Sequence, residues 1–148
     1  MPGARVFVDT NILLYAHDRR DPAKETAAKA WLLALARYRA GTTNLQVLNE
    51  LTAVLLRKKW YGSADEAFAI VNLYATLGDR PITRVEVERA RNLHMTTRYS
   101  WWDCLLLASA LELGCRWFLS EDLRDGHEIE GLTIVDPFAH SPAQLPIS

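Results

Sequence analysis

Short apolar runs alternate along this chain with longer stretches in which apolar residues return every three or four positions. Val6-Phe7-Val8 is β-branched and aromatic with no polar alternation, and it ends at Asp9. That pattern predicts a strand buried on both faces. From Pro22 to Arg39 the positions Ala27, Ala30, Trp31, Ala34, Leu35 and Tyr38 recur at helical spacing, with Lys24, Glu25, Lys29, Arg37 and Arg39 elsewhere on the wheel. An amphipathic helix is predicted there. Gly41 follows as its expected left-handed cap, and Thr42-Thr43 leave room for only a brief strand.

Thr43 and Gln46 have capping-box spacing and predict the start of a helix carrying Leu45, Leu48, Leu51, Leu55 and Leu56. It ends in Arg57-Lys58-Lys59, cations that suit the negative end of the helix dipole. Ser63 and Glu66 repeat the box for a helix that Gly78 closes. Asp79 to Ile82 predicts a third strand, with Pro81 counting against it. Val85 to Arg98 reads as a helix, and Ser100-Trp101-Trp102-Asp103 opens a much more apolar one that stops at Gly114. Trp117-Phe118-Leu119 and Thr133-Ile134-Val135 predict the last two strands.

Short apolar strands separated by helices point to an α/β domain with a mainly parallel sheet and right-handed crossovers. Such sheets bind ligands beyond the carboxyl ends of their strands, where strand order reverses. A length of 148 residues fits one domain, read as 1–138, followed by a loose polar tail, 139–148, with Pro142 and Pro146. The net charge of -1 means that any nucleic-acid binding must be local. Cys104 and Cys115 form no C-x-x-C pair and lie among apolar neighbours, as reduced cytosolic thiols do. No signal peptide or membrane span is legible, which makes the cytoplasm the expected location.

Asp9 ends the first predicted strand and Asp122 lies just beyond the fourth, so both acids should emerge on one edge of the sheet. Taken singly, each is explained as well by capping of the next helix. Glu50 sits among Val47, Leu51 and Val54 on or beside an apolar stripe, where a carboxylate is rarely left unpaired; a boundary position or a salt bridge would also explain it. Asp103 belongs to the box Ser100-x-x-Asp103, yet the helix it opens is apolar all round, so its first turn should point inward. Four converging carboxylates repel one another unless a cation compensates. Oxygen-only ligands favour a hard ion, magnesium or manganese, which can activate water and stabilise the charge on a phosphate during in-line displacement.

Four blocks, Val8-Asp9-Thr10-Asn11-Ile12-Leu13-Leu14-Tyr15, Gln46-Val47-Leu48-Asn49-Glu50-Leu51, Trp101-Trp102-Asp103-Cys104-Leu105 and Leu119-Ser120-Glu121-Asp122-Leu123, resemble the acidic blocks of PIN-domain nucleases in order and separation. The resemblance runs from about Arg5 to Phe138, and the compact size is similar to the VapC-type toxins of toxin–antitoxin systems. It implies a three-layer α/β/α fold with a central parallel sheet of four to five strands in the order 3-2-1-4-5. It implies a metal-dependent endoribonuclease with one or two magnesium or manganese ions, an RNA substrate, a VapB-like antitoxin partner and a homodimer. By matching position, Asp9, Glu50 and Asp103 become metal ligands with Asp122 as the fourth acid, while Thr10, Asn11 and Ser120 support them. Asp136, in Val-Asp-Pro-Phe, is assigned to structure.

Arg57, Lys58 and Lys59, next to Trp60 and Tyr61, join cations to aromatics as RNA-binding surfaces do, although a charged helix end explains them too. Arg19 and Arg20 are further candidates for RNA contact. His17, His94, His127 and His140 are scattered, so an imidazole base is not indicated. Other readings stay open. A phosphatase commonly needs a second acid two residues after its nucleophilic Asp, where this chain has Asn11. A magnesium-binding receiver module usually carries adjacent acids after the first strand and a late Lys, and no Lys follows Lys59. A solitary RNA-processing nuclease and an inactive binding module are the remaining alternatives.

Overall fold

The computed structural model describes residues 5–147. Residues 1–4, read above as the start of the single domain, and Ser148 at the end of the tail lie outside them. Strand β1 (Arg5–Val8) buries Val6, Phe7 and Val8 completely. It pairs in parallel with β2 (Gly41–Thr42) on one side and β3 (Cys115–Leu119) on the other. In chain order β4 (Glu128–Ile129) and β5 (Leu132–Val135) follow; β5 pairs in parallel with β3, and β4 is antiparallel at the edge. The sheet order is β2-β1-β3-β5-β4. Phe7 and Phe118 stack at 5.2 Å across the central pair, because in-register neighbours share a face.

Among the described residues six α-helices flank this sheet: α1 (Thr10–Tyr15), α2 (Pro22–Arg37), α3 (Leu45–Lys58), α4 (Ala64–Ala75), α5 (Arg84–Thr97) and α6 (Trp101–Glu112). The apolar α6 buries every residue from Cys104 to Ala110, as its composition predicts. The α/β class and mostly parallel sheet agree with the reading above, while the strand order departs from it at both edges. Asp79–Ile82 forms no strand; it contributes one parallel bridge, Asn44 to Arg80, on the outer side of β2. Pro81 removes the donor that a longer ladder needs there. At the far edge β4 and β5 form a hairpin whose two-residue turn, Glu130-Gly131, has positive φ at both positions, the geometry that matches strand twist.

Two predicted caps move. Helix α2 ends earlier, with Arg39 at φ 52, and Gly41 enters β2 instead, where a Cβ would lie 3.2 Å from Leu35 Cβ. Asn44, not Thr43, caps α3: its side chain accepts from Val47 N at 3.0 Å, whereas Thr43 Oγ1 donates to the Val8 carbonyl at 3.1 Å. Ser63 caps α4, its Oγ accepting from Glu66 N, whereas the Glu66 side chain of the expected box accepts from Gly62 N instead of Ser63 N. Helix α1 has no counterpart among the predicted elements, since its six residues are too few to show a period. The segment after 138, expected to be loose, carries a 3-10 turn at Pro142–Gln144, and Ile147 is buried. Trp31 Nε1 donates to the carbonyls of Pro137 and His140 at 2.9 and 3.2 Å, which ties α2 to the start of that segment. Both cysteines are free and buried. Among the described residues no helix is long and apolar enough to cross a membrane.

Candidate active site

Asp9 follows β1 and caps α1, its Oδ1 accepting from Thr10 N at 2.7 Å. Its own amide donates to the Leu119 carbonyl at 3.1 Å, so the ladder between β1 and β3 runs one residue past the strands. That register sets Ser120 beside Asp9, and Ser120 Oγ donates to Asp9 Oδ2 at 2.8 Å. Ser120 Oγ in turn accepts from Asp122 N at 3.2 Å, which fixes the acid two residues on. The first turn of α1 completes the link. Asn11 Nδ2 lies 2.9 Å from Asp122 Oδ2, 3.3 Å from Ser120 Oγ and 3.5 Å from Asp9 Oδ2, so one amide touches both acids and the hydroxyl between them.

Thr10, on the same turn, donates from Oγ1 to Glu50 Oε2 at 2.8 Å. Glu50 is thereby brought from the middle of α3 to the end of β1. Gln46, one helical turn earlier, donates Nε2 to Glu50 Oε1 at 3.1 Å and to the Trp102 carbonyl at 3.4 Å. It therefore spans from α3 to the start of α6. There Asp103 is held by the N-cap Ser100, without the reciprocal half of the predicted box: Ser100 Oγ accepts from Asp103 N at 3.2 Å and donates to Asp103 Oδ2 at 2.9 Å. Burial grades across the group, from Asp9 on the floor at 5% exposed to Asp122 on the rim.

The acids sense one another. Asp9 is raised from the usual aspartate value of 3.8 to about 7, chiefly because burial strips its carboxylate of water. The bonds from Ser120 and Thr10 oppose the rise, and the charges of Asp103 and Glu50 add to it. Asp103 is also raised, first by burial and then by Asp122 and Glu50, with the Ser100 bond pulling the other way. Among the described residues none of the four has a Lys or Arg ion-pair partner.

The donor set suits a hard divalent cation, being all oxygen and uncompensated in charge. The side chains are not closed around one. Among the described residues no group of three His, Cys, Asp or Glu is placed to hold an ion as it stands. Glu50 is engaged by Thr10 and Gln46, and Asp122 by Asn11. Each of these oxygens keeps a second lone pair beside its hydrogen bond, so the bonds orient the two acids without closing them to an ion.

The sequence candidates thus divide. Asp9, Glu50, Asp103 and Asp122, with Thr10, Asn11 and Ser120, share one edge of the sheet. Arg19, Arg20, Arg57, Lys58 and Lys59 lie away from it, at the carboxyl ends of α1 and α3; Arg57 is about 10 Å along α3 from Glu50 by helical rise. Arg20 pairs with Asp18 at 3.0 Å, and both Arg20 and Lys58 lie over the Trp60 ring, at 5.2 and 5.4 Å. A recess of about 540 Å³ is lined there by His17, Arg19, Arg20, Trp60 and Tyr61. Asp125 and Asp136 are structural: Asp125 accepts from Asp136 N and contacts His140, and Asp136 accepts from Phe138 N. Sequence reasoning missed Gln46 as the partner of Glu50, although their i,i+4 spacing signals it. It also missed Lys24, which forms an ion pair with Glu121; no local spacing reveals that contact.

Comparison with known proteins finds the same fold. A toxin–antitoxin complex from Klebsiella pneumoniae contains a chain that superposes with a TM-score of 0.63 at 22% identity, covering 89% of this chain and 97% of that one. The VapBC2 structure from Rickettsia felis, bound to a DNA fragment from its promoter, gives 0.60 at 14% identity, covering 87% and 96%. The Mycobacterium tuberculosis toxin VapC20, which cleaves the sarcin–ricin loop, gives 0.60 at 23% identity, covering 76% and 86%. At these identities the likeness is one of fold. No curated protein sequence matches. The PIN domain family model matches residues 6–127, a span that holds all four clustered acids, and the chain belongs to the PIN domain family.

Proposed function

We propose that this protein is a magnesium- or manganese-dependent endoribonuclease and the toxin of a toxin–antitoxin pair. The observation that carries the reading is the convergence of Asp9, Glu50, Asp103 and Asp122, from four separate segments, at one sheet edge where they sense one another's charge and, among the described residues, none has a Lys or Arg ion pair. Such crowding is costly to a resting fold and useful to an ion-binding one. In this reading the four acids hold one or two ions. A bound ion would polarise the phosphate and lower the pKa of an attacking water.

The chain's own groups set the stage for that chemistry. Asp9 must give up its proton to become a ligand, and with a pKa of about 7 it does so near neutrality. Thr10 and Asn11 hold Glu50 and Asp122 at the pocket until an ion engages them, while Ser120 steers Asp9. Arg19, Arg20, Arg57, Lys58 and Lys59, with Trp60 as a stacking surface, are assigned to the RNA strand beyond the pocket. The solved relatives include toxin–antitoxin complexes and a toxin that cleaves the sarcin–ricin loop, which supports a VapB-like antitoxin as partner and RNA as substrate. A homodimer is part of the same reading.

Cleavage of structured and single-stranded RNA should be measured with magnesium, with chelator, and with Asp9→Asn and Glu50→Gln. Loss of a ligand is expected to lower the rate by about a hundredfold or more. Equal cleavage under all these conditions defeats the proposal.

A further inference from the structure

Lys24, in the first turn of α2, reaches the loop that carries Ser120 and Asp122 and forms an ion pair with Glu121. Its ammonium lies 4.8 Å from the Tyr15 ring centroid, 5.0 Å from that of Phe138 and 3.4 Å from the Tyr15 hydroxyl. The two rings meet edge to face at 5.2 Å. The end of α1, the start of α2 and the segment after β5 thus build an aromatic corner around one cation, and that cation points at the site loop. From the other side Asn11 Oδ1 accepts from Glu121 N at 3.5 Å, and the amide of the same Asn11 holds Asp122. The loop is gripped between the two.

The pairing matters because of what Glu121 does when unpaired. It is the neighbour of Asp122, so a free carboxylate there adds a further negative charge at the mouth of a pocket that must admit an RNA phosphate. We propose that Lys24 is a positioning residue which neutralises Glu121, so that the loop Ser120–Asp122 presents the incoming phosphate with the Asp122 carboxylate alone. This rests on the ribonuclease reading above. Loss of the Lys24 charge then has a split signature. Substrate binding weakens because a phosphate meets an uncompensated Glu121, whereas a divalent cation meets a more negative pocket and binds as tightly as before or more so. One unit charge several ångströms away, acting through a dielectric between those of protein and water, changes phosphate binding by roughly three- to tenfold.

The test uses the full chain as Lys24→Met, which keeps the packing on Tyr15 and Phe138, together with Lys24→Arg, Glu121→Gln and the double variant Lys24→Met/Glu121→Gln. Binding of a fluorescent single-stranded RNA is measured in chelator, Mn²⁺ uptake by electron paramagnetic resonance without RNA, and kcat and KM in Mg²⁺. Lys24→Met is expected to weaken RNA binding and raise KM by roughly three- to tenfold with kcat little changed and Mn²⁺ uptake undiminished. The double variant and Lys24→Arg should return both RNA values to within about twofold of the parent. Equal loss in the single and double variants shows a mere strut and overturns the proposal; so does unchanged RNA binding in Lys24→Met, or Mn²⁺ uptake that weakens in step. A parent protein that binds RNA but cleaves none refutes the nuclease reading while the binding comparison still decides the role of Lys24.

Discussion

Replacing Asp9 by Asn removes one charge from the floor of the pocket at almost constant shape. Raising a carboxyl from 3.8 to about 7 separates its two protonation states by on the order of 4 kcal/mol, at about 1.4 kcal/mol per pH unit. Folded Asp9 keeps its proton between those two values, where the unfolded chain has lost it. The native state binds more protons in that window, so the Asp9 contribution to stability is fully present below 3.8, falls as pH rises, and is lost above about 7. The uncharged amide of the variant has no such dependence.

Part of the gain is returned, because the single oxygen of the substituted amide cannot accept from both Thr10 N and Ser120 Oγ, at about 1 kcal/mol for a lost hydrogen bond. In chelator, Asp9→Asn should therefore exceed the parent in stability by about 1–3 kcal/mol near pH 8, with the advantage vanishing near pH 4. Urea denaturation of both proteins across that range reads the difference, which cancels the titrating groups that do not sense Asp9 and leaves those of the coupled acids. Magnesium should then reverse the order by stabilising the parent more than the variant. Parallel stability profiles for the two proteins, or a variant weaker than the parent in chelator near pH 8, would refute the reasoning.

Three further outcomes follow from the same contacts. Ser120→Ala removes a bond that opposes the rise in Asp9, so its pKa should climb and the acidic limb of the cleavage profile should move to higher pH; a profile that stays in place or moves the other way contradicts this. Asn44→Ala strips the cap from the helix that carries Glu50 and should cost about 1 kcal/mol, measured by thermal unfolding. Gly78→Ala places a Cβ 2.8 Å from the Thr43 carbonyl oxygen and 2.9 Å from Thr42 Oγ1. That crowding against β2 should destabilise by about 1–3 kcal/mol, and a neutral effect in denaturant would show that the segment shifts freely.

Much of this protein is determined locally. The buried strand at Val6–Val8, the apolar helix after Ser100 and the N-caps at Ser63 and Ser100 are written in periods and spacings that need no partner, because a helix or a doubly buried strand imposes its pattern on contiguous residues. Placing Asp9 and Asp122 on one sheet edge needs only the rule that parallel strands point the same way. The cap of α3 lies one residue from its expected place because Thr43 and Asn44 are both competent cap formers; the demand of the Val8 carbonyl on Thr43 decides between them. The strand expected at Asp79–Ile82 does not form because a ladder depends on its neighbour as well as on propensity, and Pro81 leaves it one bridge.

What tertiary structure alone decided is the electrostatics of the pocket. The rise of Asp9 to about 7 comes from burial beneath the chain's other segments and from acids tens of residues away. The roles of Asn11 as the clasp on Asp122, and of Lys24 as the counter-charge to Glu121, join positions 111 and 97 residues apart. Desolvation and Coulomb energy depend on distance through space, and sequence records only distance along the chain.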